Sequence, residues 1–210
     1  MCLKYIKVSI IIEAMNKFAR TLSYIFDGSF ISIPVFIIIC LRVVDNVFLA
    51  LGWAILCLIF ATIIPFLYIF ILFHKKLVYD IHLPKKENRI KPLIVAIISY
   101  IMGFFVLYVL GAPVFLKAIF ALSLINAVLL TTITYFWKVS FHTSWITITS
   151  ISFYILFGRW MLLLLLLIPL IGWARVKIKR HTIMQVVMGA AISAIVALFI
   201  FSRYNFLNFM

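Results

Sequence analysis

A histidine, a glutamine four residues later and an arginine six residues before it stand between two long apolar stretches, in ARVKIKRHTIMQ (Ala174 to Gln185). A neutral imidazole can attack phosphorus or move a proton near neutral pH. If a helix starts near Thr182, His181 and Gln185 share a face. The Gln185 amide oxygen can then accept Nδ1–H of His181 and hold Nε2 forward. A second histidine follows a serine in KVSFHTS (Lys138 to Ser144), giving Ser140 and His142. A third polar stretch, DIHLPKKENRIKP (Asp80 to Pro92), supplies Lys85, Arg89 and Lys91. Phosphoryl transfer spreads charge over the equatorial oxygens, so clustered Arg and Lys suit it. Arg gives bidentate contacts and Lys a point charge. Taken singly, each of these residues is an ordinary loop cation, loop histidine or helix N-cap.

The inventory excludes other chemistries. The chain has 210 residues, 67% of them hydrophobic, with nineteen Lys and Arg against five acids and a mean hydropathy of +1.28. No acid lies between Glu87 and the C-terminus. Mg²⁺ and Ca²⁺ sites need several oxygen ligands, usually carboxylates, so metal-free chemistry through histidine is expected, with no cofactor. Neither a phosphate-binding glycine loop nor a nucleophile elbow occurs. Cys2, Cys40 and Cys57 are scattered and suggest no disulfide framework. Nucleic acid is a poor partner because the cations lie in short loops between apolar runs.

The elements that must position these residues are helices. FLALGWAILCLIFATIIPFLYIFILF (Phe48 to Phe73) does not alternate as a barrel strand would. Several runs approach or exceed the ~20 residues that cross a bilayer. The expected fold is all-α, a polytopic transmembrane bundle with apolar segments at about 28–44, 47–73, 93–111, 114–136, 141–158, 159–174 and 183–202. That makes seven spans, or six with one re-entrant or merged. Pro34, Pro65 and Pro169 are candidate kinks, and Gly111-Ala112-Pro113 a turn between spans. Residues 1–27 read as an amphipathic N-terminal segment, with Leu3, Ile6, Ile10, Ala14 and Phe18 at helical spacing between cations. No removable signal peptide is read there. Residues 28–210 read as a single transmembrane domain.

With seven spans, the N-terminus and the loops at 74–92, 137–140 and 175–182 share one face. Fifteen of the nineteen cations lie on it, and Arg42, Lys117, Arg159 and Arg203 on the other. The positive-inside rule makes the rich face cytoplasmic in a multi-pass cell-membrane protein. Even parity brings all three polar stretches to that face.

These residues resemble the type-2 phosphatidic acid phosphatase superfamily, which includes membrane lipid phosphatases. Its third motif, S-R-x5-H-x3-D, is matched at Arg175 and His181, with Ala174 for Ser and Gln185 for Asp. Its second, P-S-G-H, is matched at Ser140 and His142, with Val139 and Phe141 for Pro and Gly. Its first, K-x6-R-P, has the right residue types in KKENRIKP, one residue short. The resemblance covers about residues 28–202. It implies a histidine-phosphatase-like core in which His181 becomes phosphohistidine, His142 is the general acid and Gln185 orients the nucleophile. Arg175, Ser140 and one or two of Lys85, Arg89 and Lys91 would hold phosphate. The implied activity is metal-independent hydrolysis of a polyprenyl or glycerolipid phosphate, a phosphomonoester or pyrophosphate, drawn from the bilayer; the resemblance leaves the oligomeric state open. The rival reading is an inactive relative that binds an anionic lipid or a membrane partner, motivated by Gln185. A transporter is disfavoured because no acid lies inside any apolar run.

Overall fold

The computed structural model describes residues 2–78 and 88–207, with side chains described from residue 12. Among the described residues every regular element is helical. The order is α1 (Cys2–Ile25), α2 (Gly28–Val43), α3 (Val47–Leu58), a π turn (Ile59–Ile63), α4 (Ile64–His74), α5 (Ile90–Val109), α6 (Val114–Phe136), α7 (Phe141–Phe157), a 3-10 run (Arg159–Leu166), α8 (Leu167–Lys177) and α9 (Ile183–Arg203).

Five helical stretches are long and apolar enough to cross a membrane: 47–74, 90–109, 114–136, 159–177 and 183–203. The pair Ile12–Ile25 and Gly28–Val43, bent by 50°, makes a sixth if it is one broken span. At its upper count this agrees with the six-span form of the expectation and not with seven, and it is the architecture of a multi-pass membrane protein. Two segments fall short for a physical reason. Alone, α2 has only 16 residues, and it reaches span length only together with α1. α7 has 17 residues, about 26 Å at the α-helical rise, below the ~30 Å hydrocarbon thickness. Its inner face carries Thr143, Ser144, Thr147, Ser150 and Ser152, all buried. α7 is an internal helix that packs chiefly on α9.

The N-terminal helix is longer than its periodic sequence suggests. It docks along α8, with Ala19 and Ser23 buried and the Phe18 and Trp173 ring centroids 6.3 Å apart.

Local chemistry sets the breaks. Asp27 caps α2 by accepting the Ser29 N–H at 3.0 Å, and Asn46 caps α3 through Leu49 N–H. Pro65 has no N–H to offer the preceding turn, and the π turn lies immediately before it. The Phe60 carbonyl accepts a hydrogen bond from the Ser99 hydroxyl at 2.6 Å instead. Pro34, by contrast, lies within a continuous α2, and Pro169 in the first turn of α8. Gly111, at φ +69, turns α5 into α6 as its sequence suggested.

Between α6, α7 and α9 lies a buried polar knot. Asn126 donates to the Ser144 hydroxyl at 2.9 Å. The Ser193 hydroxyl lies 2.9 Å from Asn126 Oδ1, 2.6 Å from Ser144 Oγ and 2.8 Å from the Gly189 carbonyl. In an apolar surround such contacts specify which helices meet. Gly189 permits the closest approach. A Cβ there would sit 2.5 Å from the Ser140 carbonyl oxygen.

Replacing Gly189 by Ala should therefore force α9 away from the start of α7, at roughly 1–3 kcal/mol. Gly52→Ala, where a Cβ meets nothing within 4 Å, should leave stability unchanged. Thermal unfolding of both variants in detergent checks this.

Candidate active site

The third polar stretch is built on two helix ends. α8 stops after Lys177, and Lys179 takes a left-handed φ of 57°. The Arg175 carbonyl accepts from Arg180 N–H at 3.0 Å and His181 N–H at 3.3 Å, folding the chain back over the helix end. Thr182 then caps α9 in a reciprocal capping box with Gln185. His181 thus precedes the cap rather than lying on the helix with Gln185, yet the expected contact forms: Nδ1 lies 3.1 Å from Gln185 Oε1.

That contact fixes the imidazole tautomer. Thr182 N–H, which can only donate, points at the same Oε1 at 3.2 Å. The atom is therefore the carbonyl oxygen, an acceptor, and Nδ1 of His181 must carry the proton. Nε2 keeps its lone pair.

The second stretch is tied to the third. Ser140 N–H donates to the Gln185 carbonyl at 3.1 Å, and Lys138 Nζ donates to the Arg180 carbonyl at 2.7 Å. Ser140 is fully buried. Its hydroxyl caps α7, accepting from Thr143 N–H at 3.5 Å.

The first stretch reaches the same place through Arg89, which directly precedes α5 and is 8% exposed. Lys91 is exposed on the first turn of α5, and Lys85 lies outside the described residues. Arg175 and His181 are 4% and 7% exposed.

The electrostatics mark one cluster. Burial, then Arg175, Arg89 and Lys138, push the His181 imidazole down to about 2, against its hydrogen bond to Gln185, which raises it. Burial pushes Lys138 down to about 8, with Arg89, Arg175 and Arg180 adding to the shift. Burial and Arg180 bring Arg89 to about 10. Three cations, Arg89, Lys138 and Arg175, thus disfavour a charged His181, with Arg180 acting on two of them, and an anion among them would relieve these repulsions.

His142 occupies the first turn of α7, and its Nε2 lies 3.3 Å from Asp27 Oδ2, an ion-pair distance when the ring is protonated. Both residues, with Arg89, line a cavity of about 240 Å³ walled by Pro65, Phe66 and Leu93. It adjoins a 260 Å³ recess reaching inward to Asn126 and Ser144. It also adjoins an apolar groove between α2 and α4, past Phe30, Ile33 and Phe70. A partly polar compartment and an apolar one therefore adjoin.

Three residues of this site escaped the sequence reading. Asp27 sits over a hundred positions from His142. Its only signal was a carboxylate directly before an apolar run in a chain with five acids. Lys138 and Arg180 were visible as cations beside Ser140 and His181, but read as topology signals. Among the described residues no group of three His, Cys, Asp or Glu side chains could hold a metal ion. No protein-family model, curated protein or solved structure matches the chain.

The low His181 value carries a pH consequence. Between pH 2 and the ordinary histidine value of about 6.5, the unfolded chain binds a proton that the folded chain refuses. Stability from this residue is intact above pH 6.5 and falls as pH drops below it. From pH 7 to 5 the loss should be roughly 2 kcal/mol. His181→Gln should lose that much less on the same acidification, measured by denaturant unfolding at both pH values.

Proposed function

We propose that the chain is an integral membrane lipid-phosphate phosphatase working through a phosphohistidine on His181, without metal. The substrate is a phosphomonoester or pyrophosphate of a polyprenyl or glycerolipid. The observation that carries this reading is the neutral His181, its Nδ1 proton held on Gln185 amid Arg89, Lys138, Arg175 and Arg180, beside a cavity that opens along apolar helices. We read this arrangement as the counterpart of the histidine-phosphatase-like core that the resemblance implies.

In this mechanism Arg89, Arg175 and Lys138 hold the phosphate oxygens. His181 Nε2 attacks phosphorus, and the bond from phosphorus to the bridging oxygen breaks. His142 gives its proton to that oxygen, releasing lipid alcohol or, from a pyrophosphate, lipid monophosphate. The Asp27 carboxylate balances the charge of the His142 imidazolium. Water then attacks the phosphohistidine, His142 takes the water proton, and the phosphorus–nitrogen bond breaks to give inorganic phosphate. Gln185 orients the imidazole as the family's aspartate would, but a neutral amide stabilises a developing imidazolium less. The charge count supports a cytoplasmic headgroup face.

Phosphate release from a polyprenyl diphosphate and a phosphatidate, by detergent-purified protein with EDTA present, tests the reading. Release should survive EDTA, fall roughly 10²–10⁴-fold in His142→Ala and vanish in His181→Ala. Gln185→Asp should be faster. Silence from the starting protein on both lipids, with turnover in Gln185→Asp, would sink the phosphatase reading and favour an inactive relative that binds anionic lipid.

A further inference from the structure

Behind the His181 cluster, between α1 and the end of α8, lies a separate cavity of about 270 Å³ lined by Arg20, Ser23, Tyr24, Arg175, Ile178 and Arg180. Its wall is the reverse of the tail cavity's: three guanidinium groups, two hydroxyls and one apolar side chain. Arg20 is exposed on α1, Arg180 is half-buried and Arg175 is buried. Three guanidinium groups around one small volume give it a positive potential that favours an anion.

A second observation points the same way. Ser23 is 4% exposed, lines this cavity, and its hydroxyl has no hydrogen-bond partner among the described residues. A buried hydroxyl left unsatisfied costs free energy. A ligand with acceptor oxygens would supply the missing bond, and guanidinium forks match a tetrahedral oxyanion bidentately.

We propose that this cavity is a second phosphate-binding site, formed by Arg20, Ser23, Arg175 and Arg180, with Arg175 shared between it and the His181 cluster. The ligand is a phosphate group with at least two free oxygens. It is either inorganic phosphate or the monoester headgroup of an anionic lipid, since Tyr24 and Arg20 open the cavity to the surface. The site goes beyond the phosphatase reading and does not depend on turnover. If turnover occurs, Arg175 gives released phosphate a stepwise way out, opposite the lipid tail.

Equilibrium binding of ³²P-labelled inorganic phosphate to detergent-purified protein tests it. The starting protein should bind two phosphates and the Arg20→Gln/Ser23→Ala double variant one. Lys17→Gln, which removes an exposed cation from the same helix outside the cavity, should still bind two. Arg20 is exposed and Ser23→Ala only trims an atom, so folding should survive, and circular dichroism checks it. In a second arm, the same proteins are floated with phosphatidylcholine vesicles holding one-tenth short-chain phosphatidate. Two inorganic phosphates lost to one in the double variant supports the free anion. No second inorganic phosphate, but phosphatidate retention that falls at least fivefold in the double variant alone, supports the headgroup. Equal stoichiometry and retention in all three proteins overturns the site, and leaves the phosphatase reading to its own assay.

Discussion

The site depends on Gln185 more than on any other residue. Its backbone carbonyl accepts from Ser140 N–H, joining the start of α7 to the start of α9. Its backbone N–H donates to the Thr182 hydroxyl. Its side-chain oxygen takes Thr182 N–H and faces His181 Nδ1. Helix capping, helix docking and the histidine tautomer are thus settled by one residue. A glutamine fits this position because the capping box takes glutamine or glutamate there, and its amide oxygen accepts both donors.

The docking that Gln185 begins is continued by small residues. Gly189 lets α9 lie against the Ser140 carbonyl, and Gly172 faces Val186, whose methyl would sit 2.5 Å from an added Cβ. One turn deeper, Ser193, Asn126 and Ser144 close the gap with hydrogen bonds. Close contact and polar contact together replace the hydrophobic drive that lipid does not provide between helices. The cations are therefore assembled on a rigid base, and their mutual repulsion is met by packing they do not contribute to.

Much of this was legible in sequence because spacing and parity are local rules. The Arg175, His181 and Gln185 frame foretold the Nδ1 contact. An even number of chain reversals between polar stretches foretold that Arg89, Ser140 and His181 would meet. The span count was less legible. Residues 141–158 looked like a span by apolar content, but the hydroxyls that mark α7 as internal are also common in spans. The choice among basic residues of the first stretch needed the helix register: Arg89 turns inward and Lys91 outward because α5 starts at Ile90. Asp27 was out of reach, since nothing local ties a cap on α2 to the first turn of α7.

The π turn before Pro65 has a consequence for evolution by insertion and deletion. It holds one residue more than an α-helical turn, so α4 is rotated by about 100° relative to a straight continuation of α3. α3 turns Ala50, Ala54 and Cys57 into the bundle, while α4 offers Pro65, Phe66 and Ile69 to the cavity beside His142. The two halves of one span are thus out of phase by design. Deleting a single residue at 59–63 would restore an unbroken helix and swing that cavity wall towards lipid, whereas Arg89, Arg175 and His181, all on other elements, would keep their register.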